Sequence, residues 1–303
     1  MTNRPIRRHH QRFAGKRANS PNRSNGIVRR PVPGDRNSAA RPRVPVNSGR
    51  VVTLPAVRKT ILITGASAGL GAEMARRFAA MGRDLALCAR RADRLDALRA
   101  ELTAADPGIR VATRALDVTD HDAVFDVVRS FAEELGGLDR VVVNAGIGKG
   151  RPIGTGGFHA NRRTAETNFV AALAQCEAAM EVFYRQGHGH LVLISSVSAV
   201  RGMPGSMTTY AATKAAVSSL AEGLRADTLG TPIAVSAILP GYIRSEMNPE
   251  QRAPLLVDTA VGVRAMVRAI EREVADACVP AWPWRVLAPV IRHAPLRLIK
   301  RAL

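Results

Sequence analysis

Paired cysteines are missing from this sequence. Its three cysteines, Cys88, Cys176 and Cys278, lie far apart and form no C-x-x-C spacing. That argues against a disulfide framework and against a thiolate zinc site, and makes a reducing cytoplasm the expected compartment. The seven histidines form no H-E-x-x-H pattern, so no metal is expected. No uninterrupted apolar stretch approaches the ~20 residues that span a bilayer. Acid is scarce at the N-terminus, where residues 1–58 hold 14 Lys and Arg against Asp35 alone, a net of +13. The remainder holds 30 basic and 24 acidic residues, a net of +6. This stretch also lacks an apolar h-region, so it is not a secretory signal. Rich in Arg, Pro, Asn and Ser, with no hydrophobic period, it cannot bury enough apolar surface to order itself. Residues 1–57 therefore read as a disordered basic leader with no part in catalysis. A basic arm for nucleic acid or anionic lipid, a transit peptide and a start placed too far upstream are the other readings.

From Arg58 the texture changes. Short apolar runs (KTILIT, DLALCA, IRVATRAL, LDRVVVNAG, HLVLISS, IAVSAILPG, ACVPA) alternate with Ala- and Leu-rich amphipathic segments. Helices are predicted after the first glycine-rich stretch, over 94–102, over 121–135, over 160–186, over 208–228 and over 261–274. Strands alternating with helices imply βαβ units and a parallel sheet of about seven strands covered on both faces, a doubly wound α/β domain. Ligands of such sheets bind beyond the carboxyl ends of the strands.

The informative residues stand there. TGASAGLG (64–71) follows the first strand and opens a helix. Gly65 permits a tight turn, while Gly69 and Gly71 let backbone approach a phosphate at the helix start. YAATK (210–214) sets Tyr210 and Lys214 four positions apart, hence on one helix face. An ammonium near the phenol favours the phenolate and lowers its pKa, which makes a usable acid and base.

TGASAGLG, NAG (144–146), ISS (194–196), YAATK and PGYIRS (240–245) occur in an order and at distances that resemble the classical short-chain dehydrogenase/reductase family. The resemblance spans about 58–282 and implies a single Rossmann-type domain, with 283–303 as a basic amphipathic C-terminal segment outside it. It implies that Tyr210 exchanges a proton with the substrate oxygen. Lys214 lowers the tyrosine's pKa and holds the nicotinamide ribose. Ser196 donates to the substrate oxygen. Asn168, in ETNFV, anchors a relay to Lys214. Ser196 lies fourteen positions before Tyr210, one more than is usual in the family, and Ser195 and Ser198 stand as the other candidates for its place.

The same resemblance implies that Gly65, Ser67, Gly69, Leu70 and Gly71 cradle a nicotinamide dinucleotide. Asp117 and Val118 flank its adenine, Asn144, Ala145 and Gly146 pack beside the adenine ribose, and Pro240, Gly241 and Ser245 lie at the nicotinamide, with Ser245 toward the carboxamide. Nineteen positions past Gly71, where NAD-binding folds carry an acid, stand Arg90 and Arg91. Guanidinium groups suit a 2′-phosphate, so NADP(H) is favoured over NAD(H). Ala68 counts against this, since many NADP-preferring relatives carry Arg or Lys there. Asp93 reads as the cap of the next helix.

The pocket is expected to be walled by Ile147, Met203, Pro204, Tyr242 and Met247, with Tyr242–Leu256 as a lid. These suit an apolar or lipid-like carbonyl or alcohol. The Ala-rich helices 160–186 and 208–229 correspond to the pair that relatives use for a homodimer or homotetramer. Residues 282–303 mix Trp282, Trp284 and aliphatic residues with five basic residues and no acid. They fit either a membrane surface or a fold-back over the domain, and Pro295 divides them into two short helices. A non-catalytic NADPH-binding regulator of the same fold is the alternative; carbonyl turnover separates the two. No nucleic-acid-binding signature is present.

Overall fold

The computed structural model describes residues 57–148, 150–246 and 255–302. The basic leader, Met247 and most of the expected lid lie outside these residues.

Seven parallel strands form the sheet: β1 (Thr60–Thr64), β2 (Asp84–Ala89), β3 (Val111–Ala115), β4 (Arg140–Val143), β5 (Gly189–Ile194), β6 (Ile233–Pro240) and β7 (Asp276–Val279). Their order is β3-β2-β1-β4-β5-β6-β7. The chain starts in the middle, winds out to β3, then returns to lay β4 beside β1. That reversal opens the crevice between the ends of β1 and β4. Every residue of β1, β2, β4 and β5 is buried, which is why these strands read as continuous apolar runs.

One face is covered by α1 (Gly69–Ala79), α2 (Ala92–Ala105) and α7 (Thr259–Glu271), with Phe78, Leu98, Met266 and Ile270 in its core. The other is covered by α3 (His121–Leu135), α5 (Ala171–Gln186) and α6 (Met207–Asp227), around Phe131, Phe183 and Val217. Local signals set the boundaries. Asp120 caps α3 by accepting from the Ala123 N–H at 3.2 Å, and Gly136 ends it at φ 77°. Asp93 is not a cap: α2 begins at Ala92 with Arg91 at the N-cap, so Asp93 lies in the first turn.

The helix expected over 160–186 is interrupted. It consists of α4 (Phe158–Ala165), a π-turn (Glu166–Val170) and α5, and the Ala171 N–H closes the wide turn on the Glu166 carbonyl. One extra residue in a turn rotates the following face, and here it carries Asn168 inward to 1% exposure.

At the amino ends of the strands, away from the crevice, Arg140 is buried among charges. It pairs with Glu271, lies 3.7 Å from Glu273, and donates from Nε to His190 Nδ1 at 2.9 Å. The His190 proton therefore sits on Nε2, facing Ser236 Oγ at 2.9 Å. Burial first, then Arg140 and Arg58, hold His190 far below its usual pKa and neutral.

The C-terminal segment forms α8 (Ala281–His293) and α9 (Leu296–Ala302), divided at Pro295 as the sequence predicts. One face folds back on the domain. Trp284, Ala288 and Ile299 are buried, and Trp284 meets Tyr242 edge to face at 5.3 Å. Arg201 donates to the carbonyls of Ile291 and Ala294 and so holds the end of α8. The other face leaves Trp282, Val286, Val290, Leu296 and Leu298 exposed.

Candidate active site

The crevice is stitched together by Thr64, the last residue of β1. Its hydroxyl accepts from the backbone N–H groups of Asn144 and Ala145 at 3.0 Å each. The Asn144 side chain donates to the Thr64 carbonyl at 2.9 Å. NAG after β4 is thereby locked against the glycine-rich turn after β1. Two glycines of the turn have no room for a side chain: Gly65 holds φ +65°, and a Cβ on Gly71 would lie 2.3 Å from the Gly65 carbonyl oxygen. Among the described residues the start of α1 has no side-chain cap, an arrangement that suits an anion at its first N–H groups. Ser67 and Leu70 are half-buried in this turn. A cradle of this shape, closed to a methyl at Gly65 and Gly71, fits the pyrophosphate of a dinucleotide.

The arginines after β2 divide. Arg91 turns to the glycine loop, donating to Ser67 Oγ from Nε at 3.3 Å and from Nη2 at 3.2 Å. Arg90 lies within electrostatic reach of Asp117. Burial raises the pKa of Asp117, but the Thr119 backbone and hydroxyl, then Arg90 and Arg163, outweigh it and hold the carboxyl below its ordinary range. Val118 is buried in the core.

At the other end, α6 presents Tyr210 and Lys214 one turn apart. The Lys214 Nζ lies over the Tyr210 ring, 6.0 Å from its centroid, and donates to the Ile194 carbonyl at 2.8 Å. Burial lowers Lys214 from 10.5 to about 8. Ser196 ends the β5 segment, hydrogen-bonds the Tyr210 phenol, and meets Ser198 Oγ at 2.6 Å. Ser195 faces the other way, donating to the Lys214 carbonyl at 2.8 Å and touching Ser218 Oγ at 2.8 Å. Of the three serines, Ser196 is the one that hydrogen-bonds the phenol, with Ser198 behind it.

One expectation is corrected. Lys214 does not lower the Tyr210 pKa here. Burial raises the phenol above its ordinary value, and the Ser196 hydrogen bond only partly opposes it. The ammonium lies 6.0 Å from the ring centroid and donates a hydrogen bond to the Ile194 carbonyl.

Asn168 is committed on both sides of its amide. It accepts from the Ile147 N–H at 2.8 Å, donates to the Ile147 carbonyl at 2.8 Å, and lies 3.4 Å from Thr213 Oγ1. A Cβ on Gly146 would lie 3.2 Å from Asn168 Oδ1 and 3.6 Å from Lys214 Nζ, so NAG, Asn168 and Lys214 converge. Pro240 ends β6, and Gly241 donates to the Val279 carbonyl at 2.8 Å. Ser245 comes back over the glycine loop, its Cβ 3.5 Å from where a Gly69 Cβ would stand.

Three residues at this crevice escape a motif reading, and Thr64, though it opens TGASAGLG, has no role of its own in that reading. Trp284 packs its indole against Gly241 from the C-terminal segment. Arg94 and Glu246 hold each other at 2.8 and 2.9 Å beside Arg91. The only advance signal for Arg94 is its place one helical turn past Arg91.

The comparisons with known proteins agree with this geometry. The family profile "short chain dehydrogenase" matches residues 59–255. An uncharacterized oxidoreductase of Mycobacterium tuberculosis is 55% identical over 245 residues, which is 80% of this chain and 97% of the relative. A short-chain dehydrogenase from Sphingobium yanoikuyae, solved in complex with NADPH, has a TM-score of 0.69 at 30% identity and covers 80% of this chain and 95% of its own. A family member from Burkholderia phymatum, solved with NAD, shares the fold at a TM-score of 0.70 and 20% identity, over 81% of this chain and 96% of its own. With two thirds of its length matched by the profile and its crevice shaped for a dinucleotide, the chain belongs to the short-chain dehydrogenase/reductase family, oxidoreductases that interconvert CH–OH and C=O with NAD(P).

Proposed function

We propose that the chain reduces an apolar or lipid-like carbonyl, or oxidises the matching secondary alcohol, with NADP(H) and a Ser196–Tyr210–Lys214 set. The observation that carries this reading is the convergence of the Ser196 hydroxyl on the Tyr210 phenol, with Lys214 one turn behind. NADP(H) supplies the hydride. Ser196 positions the substrate oxygen within reach of Tyr210, and Tyr210 gives or takes the proton at that oxygen. Lys214 holds a positive charge below pH about 8, and that charge, freed from the Ile194 carbonyl, is what would favour the phenolate. Asn168 acts by holding Ile147, and so the NAG segment, against Lys214. Ile147, Met203, Tyr242 and Trp284 support an apolar pocket. Arg90, Arg91 and Ser67 support the 2′-phosphate, as does the absence of an acid at the end of β2. The test is a carbonyl panel with NADPH and NADH, followed by absorbance of the reduced cofactor. Cofactor binding without turnover of any carbonyl would favour the regulatory alternative.

Two further contacts belong to this reading. The outer surface of the π-turn, α5 and α6 exposes Val170, Leu173, Ala212 and Gly223, apolar and small residues suited to a two-fold homodimer or homotetramer. On α8, Val286 and Val290 form an exposed stripe beside Arg285 and Arg292, and α9 adds Leu296, Leu298 and Lys300. That outer face suits an anionic membrane surface, while the inner face packs on the domain. Protein starting near Arg58, so that the basic leader cannot contribute, is expected to co-sediment with anionic vesicles, and Val286→Asp with Val290→Asp to abolish it. Unchanged sedimentation of the double variant would remove the membrane contact.

A further inference from the structure

A carboxylate stands beside the arginine that the proposed function gives to the 2′-phosphate. Glu246 accepts from Arg94 Nη1 at 2.8 Å through Oε1 and at 2.9 Å through Oε2, and from Arg91 Nη1 at 3.3 Å. The same Arg91 guanidinium reaches Ser67 of the glycine loop. Glu246 arrives from the segment after β6, on the opposite side of the crevice, carried by Ser245 over Gly69. Ser67, Arg91, Arg94 and Glu246 thus form one cluster built from three separate segments.

A carboxylate and a phosphate monoester ask the same thing of a guanidinium: two parallel N–H donors and a positive charge. We infer that Glu246 is a cofactor-discriminating residue, occupying the Arg91–Arg94 pair when no cofactor is bound and competing there with the 2′-phosphate of NADP(H). The inference rests on the reading that these arginines receive the 2′-phosphate, and it adds Arg94 to the phosphate's partners. The 2′-phosphate carries nearly two negative charges against one on Glu246, so it wins the arginines. Its affinity is reduced by whatever the Glu246 contacts were worth. NAD(H) carries only a hydroxyl at this position and leaves the cluster intact. Glu246 therefore narrows the preference for NADP(H) that the arginines create.

The experiment measures dissociation constants of NADP+ and NAD+ by calorimetry for full-length wild type, Glu246→Gln, Arg94→Ala and Arg91→Ala. Glutamine keeps the size and removes the charge. All three residues of the ion-paired group are solvent-exposed, so none of the three variants threatens the fold. Exposed ion pairs are individually weak, so Glu246→Gln is expected to tighten NADP+ between about twofold and tenfold and to leave NAD+ within about twofold. Arg94→Ala is expected to weaken NADP+ while sparing NAD+. If Glu246→Gln leaves NADP+ unchanged, or weakens both cofactors alike, Glu246 is not a competitor and the inference is overturned. If Arg94→Ala and Arg91→Ala both leave NADP+ unaffected, the 2′-phosphate reading itself fails, an outcome visible without the Glu246 variant.

Discussion

Lys214 should be a liability to the folded protein, and replacing it by methionine tests this. The side chain is 6% exposed and its pKa falls from 10.5 to about 8, caused by burial. At ~1.4 kcal/mol per tenfold, that fall costs the native state about 3 kcal/mol at neutral pH. Methionine keeps the length of the stem and carries no charge to desolvate. It also abandons the hydrogen bond to the Ile194 carbonyl, and an orphaned buried acceptor costs about 1 kcal/mol. The cofactor-free variant is therefore expected to be about 2 kcal/mol more stable than wild type at pH 7, a rise of roughly 4–8 °C in Tm for a domain of this size. The pH dependence gives the signature. Between pH 8 and 10.5 the unfolded lysine binds a proton that the folded one does not, so wild-type stability climbs with pH across that window. The variant gains nothing there, and the two proteins should converge near pH 10. Urea denaturation at pH 7 and pH 10, with equal m-values, measures both ends. A variant less stable than wild type at pH 7, or a difference identical at the two pH values, would refute the reasoning. A stabilised and inactive variant would mean that the lysine is retained for chemistry at the cost of stability.

Tyr210→Phe should lower kcat by at least about 100-fold while cofactor affinity stays the same, because the phenol acts on substrate; near-normal turnover in steady-state kinetics would sink the proton-transfer role. Gly71→Ala should weaken cofactor binding and cost about 1–3 kcal/mol in urea titrations, since its methyl would lie 2.3 Å from the Gly65 carbonyl. Glu271→Gln should cost about 3 kcal/mol by leaving buried Arg140 short of charge, whereas Glu101→Gln on the exposed Arg76 pair should cost less than about 1 kcal/mol; equal costs would show the buried network to be unimportant. Arg90→Asp should shift the kcat/KM ratio from NADPH toward NADH, and a wild-type preference for NADH would show the cofactor reading to be wrong. Light scattering should report a dimer or tetramer at micromolar concentration, and a monomer alone would remove the α5–α6 interface.

Much was legible before any coordinates. Continuous apolar runs such as ILIT and LVLI can only be buried strands when amphipathic helices alternate with them, so the parallel sheet followed from pattern alone. Glycines that must approach a backbone, and a tyrosine and lysine at helical spacing, report constraints that act within a few residues of chain. Those are the constraints that a one-dimensional string preserves. What tertiary structure alone decided involves partners far apart in sequence. The π-turn that carries Asn168 inward has no marker in ETNFV, because a one-residue insertion in a helix is set by what the two halves pack against. Which of Ser195, Ser196 and Ser198 meets the phenol depends on how β5 faces α6. The rise in the Tyr210 pKa comes from burial, partly opposed by Ser196, and spacing specifies neither. Glu246 reaches Arg91 and Arg94 across about 150 residues of sequence, and Trp284 reaches Gly241 from beyond the last strand. Charge and shape act through space, so an arginine that the sequence offers to a phosphate arrives in the fold already facing a carboxylate.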